Sequence, residues 1–186
     1  MDLGRLPSSI MPLIEEYAIG FRSRMDEDGL SKEVWVGDNR FKNGVYREYE
    51  GDVLRSEKKY KGGMLDGLQR EWWYDGVLER EENYREGRKD GLQVLYYDGG
   101  GIEYKLMYKN GRRDGLQRMW WEDGRIGYSI NYRGGRLCGL QRWWYNPEDV
   151  DGRHQLESEG NYRGGRLYGF QRRWSEDGVV EEWSVM

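Results

Sequence analysis

The chain has 186 residues, enough for one domain of ordinary size, with 34% charged and only 37% hydrophobic residues. That balance would suit a disordered chain, but nine Trp and fifteen Tyr exclude a solvated coil. With 28 glycines they point to a β-rich protein with many turns. The net charge of −4 gives nucleic acid and anionic membranes no electrostatic hold, and the single cysteine, Cys138, excludes an internal disulfide.

Residues 1–30 fall outside the periodicity of the rest. In LPSSIMPLIEEYA (6–18), Ser8 or Ser9 can cap a short helix, Pro12 falls early, and Ile10, Leu13, Ile14 and Tyr17 share one apolar face. The spacing predicts a helical cap over 1–30. Its Leu13, Ile14 and Tyr17 would cover part of the following sheet or bind a partner. Glu15 and Glu16 break the basic-then-apolar order of a signal peptide, and no apolar run is long enough to span a membrane. A cytoplasmic location is expected.

From 31 to 186 the chain repeats itself. DGLQREWW (66–73) returns as DGLQVLYY (90–97), DGLQRMWW (114–121), CGLQRWWY (138–145) and YGFQRRWS (168–175). Gly44, Gly67, Gly91, Gly115, Gly139 and Gly169 align at intervals of 23, 24, 24, 24 and 30 residues, the last enlarged by extra residues within NPEDVDGRHQ (146–155). This gives five full repeats of about 24 residues from 43 and a truncated sixth. Asp-Gly between two β-rich runs, as at Asp75–Gly76, predicts a hairpin in each repeat, and Gly87, Gly111, Gly135 and Gly165 predict the turns between hairpins. The expected fold is all-β: an elongated antiparallel meander sheet of stacked hairpins with a short N-terminal helix.

Alternation along the strands assigns the faces. The Trp72/Tyr96/Trp120/Trp144, Leu68/Leu92/Leu116/Leu140/Phe170, Leu78/Ile102/Ile126/Leu156 and Tyr84/Tyr108/Tyr132/Tyr162 columns are filled in every repeat and are expected to form the core. The opposite parity swells with apolar residues in the middle repeats and turns polar at the ends. Trp73, Tyr97, Met119, Trp121, Trp143 and Tyr145 therefore form the expected partner-binding patch, with an apolar centre and a polar rim. A competing reading has a curved sheet bury the same aromatics against its own loops. The recurrent Gln69, Gln93, Gln117 and Gln141 are expected to form a stabilising amide ladder.

NYREGRKDGLQVLYY (83–97), MYKNGRRDGLQRMWW (107–121) and NYRGGRLCGLQRWWY (131–145) carry a Tyr-x-x-Gly…Asp-Gly…aromatic signature that resembles the MORN-type repeat in its variant form, over roughly residues 43–186. The family's frequent Trp or Lys at the third position after Asp is Gln here. The resemblance implies a non-catalytic sheet for protein association or scaffolding, and family precedent also includes phospholipid tethering. LPSSIMPLIEEY (6–17) resembles the opening of an F-box, which implies an alternative role as a ubiquitin-ligase adaptor, although the strand pattern at KEVWVGDNRF (32–41) leaves no room for the remaining helices. The combination is similar to proteins of large DNA viruses, implying a minor structural component of the virion.

No enzymatic chemistry is expected. His154 stands with Glu148, Asp149 and Asp151 at a spacing that fits no cation loop. Cys138 lacks a histidine partner, and GGG (99–101) and RGGR (133–136, 163–166) are not phosphate loops, since no helix or GK[ST] follows. No catalytic, cofactor or metal residues are assigned. Expected partners are proteins, capsid or other virion proteins among them, or further copies of the chain, rather than nucleic acid or membrane.

Overall fold

Two kinds of tight turn set the architecture. In the computed structural model, which describes the backbone of residues 21–25, 31–38 and 43–185 and the side chains of 43–180, every hairpin-linking turn has two consecutive residues with positive φ. They are Gly62–Gly63, Glu86–Gly87, Asn110–Gly111, Gly134–Gly135 and Gly164–Gly165. This is the type I′ geometry whose twist matches that of paired strands, and it explains the Gly in each pair. Glu86 and Asn110, both at φ 50°, are the non-glycine members. The turns within the repeats differ. Gly76 donates to the Trp73 carbonyl at 3.0 Å and Gly124 to the Trp121 carbonyl at 2.9 Å, with Asp75 and Asp123 accepting the next amide through their side chains.

The fold is an all-β antiparallel meander, with no α-helix among the described residues. The helix expected in residues 6–18, with Leu13, Ile14 and Tyr17, lies outside the described residues. Two compact units are present: one ends at Leu78 and takes in Tyr84–Gly87, the other holds Glu79–Asn83 and the chain from Arg88 onward. The first contains β1 (Phe21–Met25), β2 (Ser31–Asp38), β3 (Asn43–Glu50), β4 (Val53–Lys61), β5 (Met64–Leu65) and β6 (Gly67–Trp72). Each pairs with its predecessor, β5 and β6 both pairing with β4. β1 falls within the stretch read from sequence as a helical cap. After β7 (Leu78–Arg85), the second unit continues with β8 (Arg88–Tyr96), β9 (Ile102–Lys109), β10 (Arg112–Trp120), β11 (Ile126–Arg133), β12 (Arg136–Leu137), β13 (Gly139–Trp144), β14 (Leu156–Arg163), β15 (Arg166–Trp174) and β16 (Val180–Val185).

The burial of the columns corrects the expected core. Leu92, Leu116 and Leu140 are each 38% exposed, whereas Gln93, Gln117 and Gln141 are fully buried. Two irregularities in the ladder cause this. In β10, Arg113 pairs with Tyr108 and Gln117 with Leu106, so Asp114, Gly115 and Leu116 oppose the single residue Met107. A bulge of that size leaves Met107 without a ladder partner on β10, and the glutamine amide, a copy of a peptide group, bonds its carbonyl instead. Gln117 Nε2 donates to the Met107 carbonyl at 2.9 Å. In the complete form, Asn131 N–H donates to Gln141 Oε1 at 2.6 Å while Gln141 Nε2 donates back to the Asn131 carbonyl at 3.3 Å. Gln69 does the same with Lys59, at 2.7 and 3.2 Å. Gln69, Gln93, Gln117 and Gln141 therefore bond the backbone instead of one another, Gln69 and Gln141 as full peptide surrogates and Gln93 and Gln117 through the amide nitrogen alone, and these bonds replace the expected amide ladder.

The second irregularity lies at the other end of the hairpin. Met119 pairs with Tyr128 but Trp120 with Ile126, which leaves Gly127 as an extra residue; Glu103 and Glu157 occupy the same place in their repeats. One extra residue flips the facing of all that follow. Ile126 therefore lies on the Trp120 face, and Tyr128, Ile130 and Tyr132 on the Gln117 face with Met119. The Ile and Tyr columns, given one face by counting, lie on opposite faces. On the Trp120 face, cross-strand ion pairs such as Arg142–Glu159 at 3.1 Å and Arg172–Glu159 at 3.6 Å fill the central rows.

Candidate interaction groove and turn edge

The Gln117 face of the second unit carries an open groove of about 500 Å³ lined by Met119, Trp121, Tyr128, Trp143 and Tyr145. Strand alternation places Met119 and Trp143 on either side of Tyr128, which pairs with both. The bulge residue Gly127 makes room for the Trp121 ring. A Cβ at Gly127 would meet Met119 Sδ and would lie 3.0 Å from Trp121 Cε2. Met119, Trp121, Trp143 and Tyr145, four of the residues expected in the patch, thus meet in one groove. Tyr97 lies in the same unit outside its lining, and Trp73 belongs to the first unit.

Part of this aromatic set also serves the fold. The Tyr97 hydroxyl donates to the Trp120 carbonyl at 2.7 Å, and the Tyr145 hydroxyl donates to the Trp174 carbonyl at 2.8 Å. Each ties the end of one hairpin to the next. Trp121 sits at the same repeat position, and its indole nitrogen is buried without a hydrogen-bond partner. Burial, and then the nearby Glu103 carboxylate, push the Tyr97 phenol up to about 12; burial, and then Tyr104, do the same for Tyr128. Tyr104 and Tyr128 lie 6.3 Å apart between ring centroids, tilted by 48°.

One wall of the groove comes from the inserted segment. Pro147–Val150 forms a single 3-10 turn, capped by Asn146, whose side chain accepts the Glu148 N–H at 3.1 Å. The insertion is anchored by its 3-10 turn, with Glu148, Asp149 and Asp151 exposed. Val150 is buried, and His154 stacks on Trp144 at 5.7 Å while its Nε2 lies 3.2 Å from the Ile126 carbonyl. Asp149 and Glu157 bring two carboxylates to the groove. Glu157 lies 3.8 Å from the Arg173 guanidinium, and Asp149 has no ion pair among the described residues. Gly127 and Glu157 were not singled out from sequence as partner-binding residues, and Asp149 was weighed there only with Glu148, Asp151 and His154 as a cation loop. The signal for Gly127 was its place in a column otherwise holding the charged residues Arg55, Glu79, Glu103 and Glu157.

A second feature runs along the type I′ turns, each of which docks on the preceding hairpin. Gly87, Gly111, Gly135 and Gly165 donate to the carbonyls of Leu65, Lys89, Arg113 and Leu137 at 2.8–2.9 Å. The Asp of the repeat adds a side-chain bond: Asp66 accepts the Glu86 N–H at 3.2 Å, Asp90 that of Asn110 at 3.0 Å, and Asp114 that of Gly134 at 2.8 Å. This gives the recurrent Asp a role, which is to fix the next turn. Among the described residues, no group of three or more His, Cys, Asp or Glu side chains is placed to hold a metal ion.

The chain matches no protein-family model and no curated protein sequence. Its functional reading therefore rests on the geometry above.

Proposed function

We propose that the chain is a non-enzymatic protein-interaction scaffold whose second unit receives a partner segment with an apolar anchor beside a basic side chain. The supporting observation is the groove around Trp121. It is lined by aromatic and thioether side chains, bordered by the Asp149 and Glu157 carboxylates, and no Lys or Arg lines it. Aromatic and Met side chains gather at the energetic centres of interfaces, and a desolvated cation over an aromatic face gains about 0.5–2 kcal/mol. The acid border makes a basic partner the complementary one.

The test is affinity capture with the tagged full chain from its native source, followed by binding of the purified partner to wild type and to Asp149→Lys/Glu157→Lys. Both acids stand in or beside the inserted segment, so the variant should keep its melting temperature and lose affinity at least tenfold. Equal affinity in the variant, or a partner segment without basic residues, would remove the charge argument and with it this reading of the groove.

A further inference from the structure

The docking of the turns breaks at one place. Asp66, Asp90 and Asp114 each accept the first amide of the following turn, but the next repeat has Cys138 where the carboxylate should be. The turn itself still docks, since Gly165 donates to the Leu137 carbonyl at 2.9 Å as its equivalents do. Only the side-chain acceptor is missing, and the Gly164 N–H, equivalent to that of Gly134, has no acceptor among the described residues.

The vacated place is an open notch of about 410 Å³. Cys138 and Gly164 line it together with Arg133, Arg136 and Arg163, and no acidic residue does. The three arginines form no ion pair among the described residues; Arg163 lies over the Tyr168 ring at 4.2 Å. Three guanidinium groups, a backbone N–H pointing where a carboxylate sits in three other repeats, and no counter-charge describe an anion site. Arginine favours planar, forked contacts with oxyanions, and a phosphate carries nearly two charges and three acceptor oxygens where a carboxylate carries one charge and two.

We propose that the notch at Cys138 binds a phosphate group, whose oxygens take the place of the missing Asp carboxylate at Gly164 and pair with Arg133, Arg136 and Arg163. The site is independent of the Trp121 groove. Its ligand is a phosphate monoester, either a free small molecule or a phosphorylated side chain.

The experiment is an amide-correlation NMR titration of the 15N-labelled full chain with sodium phosphate, against sodium chloride and sodium acetate at matched ionic strength. Phosphate should shift the Gly164 amide saturably. The Asn110 amide, already bonded to Asp90, should stay in place. Cys138→Asp should abolish the response and raise the melting temperature, because it restores the internal acceptor. If that variant does not fold, Arg133→Gln/Arg136→Gln, which changes two exposed side chains, should weaken the response at least tenfold. A tenfold tighter response to a phosphoserine peptide than to O-phosphoserine would assign the ligand to a protein; equal responses would assign it to a free ester. The proposal is overturned by a non-saturable shift, by equal shifts at Asn110 and Gly164, by an acetate response as tight as that to phosphate, or by an unchanged response in both variants.

Discussion

Replacing Gln141 by Met tests the peptide-surrogate role of the buried glutamine directly. Methionine matches its length and flexibility, so packing changes little and the hydrogen bonds alone are removed. Gln141 Nε2 donates to the carbonyls of Cys138 and Gly139 at 2.7 and 2.8 Å and to that of Asn131 at 3.3 Å, while Oε1 accepts the Asn131 N–H at 2.6 Å. Cys138 and Gly139 are not buried, so water can replace the bonds to their carbonyls. The Asn131 carbonyl keeps the Cys138 N–H at 2.9 Å. The Asn131 N–H is therefore the group left unpaired. One orphaned donor costs about 1–3 kcal/mol and each of the two exchanged bonds about 0.5–1.5 kcal/mol, for a total of about 2–6 kcal/mol. For a chain of this length, at about 2–4 °C per kcal/mol, that is a fall in Tm of roughly 4–24 °C. Thermal unfolding followed by tryptophan fluorescence measures the fall, and hydrogen exchange at the Asn131 amide shows where it arises. Leu140→Ala, which truncates the neighbouring and partly exposed side chain, should cost less than Gln141→Met. A loss below about 1 kcal/mol with Asn131 still protected, or the reverse order of the two variants, would refute the surrogate role.

Other perturbations follow from the same geometry. Gly127→Glu installs the residue that its repeat equivalents carry and drives a Cβ into Met119 and Trp121; it should cost about 1–3 kcal/mol and change tryptophan emission. Asp114→Ala removes the acceptor of the Gly134 amide and should cost about 1 kcal/mol while accelerating exchange at that amide, which Asp114→Asn should partly restore. Tyr97 and Tyr128 hold their protons up to about pH 12 in the folded state, against about 10 when unfolded. Their contribution to stability is complete below pH 10 and is lost between about pH 10 and 12, because only the unfolded chain releases these protons there. Phenolate absorbance should therefore lag behind that of a free-tyrosine standard in the folded protein, and urea midpoints should fall across the same interval.

What the sequence shows of this fold is what local chemistry decides. Asn110–Gly111, Gly134–Gly135 and the Asp-Gly loops specify their turns through residues that tolerate positive φ, and the strands follow because little else fits between such turns. Facing was misread because counting by twos assumes an unbroken ladder. Three residues against one at Met107, and one extra residue at Gly127, each shift the count, and neither announces itself in composition. Hydrophobicity then favoured Leu116 over Gln117 for the interior, where the structure has the reverse. A polar side chain goes inside when its hydrogen-bonding groups match those of a backbone that has lost its own partners. The clustering of Met119, Trp121, Trp143 and Tyr145 was legible because each pair lies two residues apart on its own strand run, and the extra residue at the bulge falls on the facing strand. Asp149 was not, because its place depends on how the inserted segment folds.

Both candidate sites lie where the repeat departs from itself. A repeated hairpin satisfies its neighbours by copying: Asp fixes the next turn, Gln repairs the bulge, and Glu or Arg occupies the extra position of the second strand. Each copy closes a contact and leaves little for another molecule to complete. Gly127 in place of Glu, with the insertion at 146–155, opens the aromatic groove; Cys138 in place of Asp leaves an amide and three arginines without an acceptor. Departures that only weakened the sheet would scatter along it. These fall on two successive repeats of the second unit and open one groove with acid at its border and one notch lined by base, so the two proposed sites call for ligands of opposite charge.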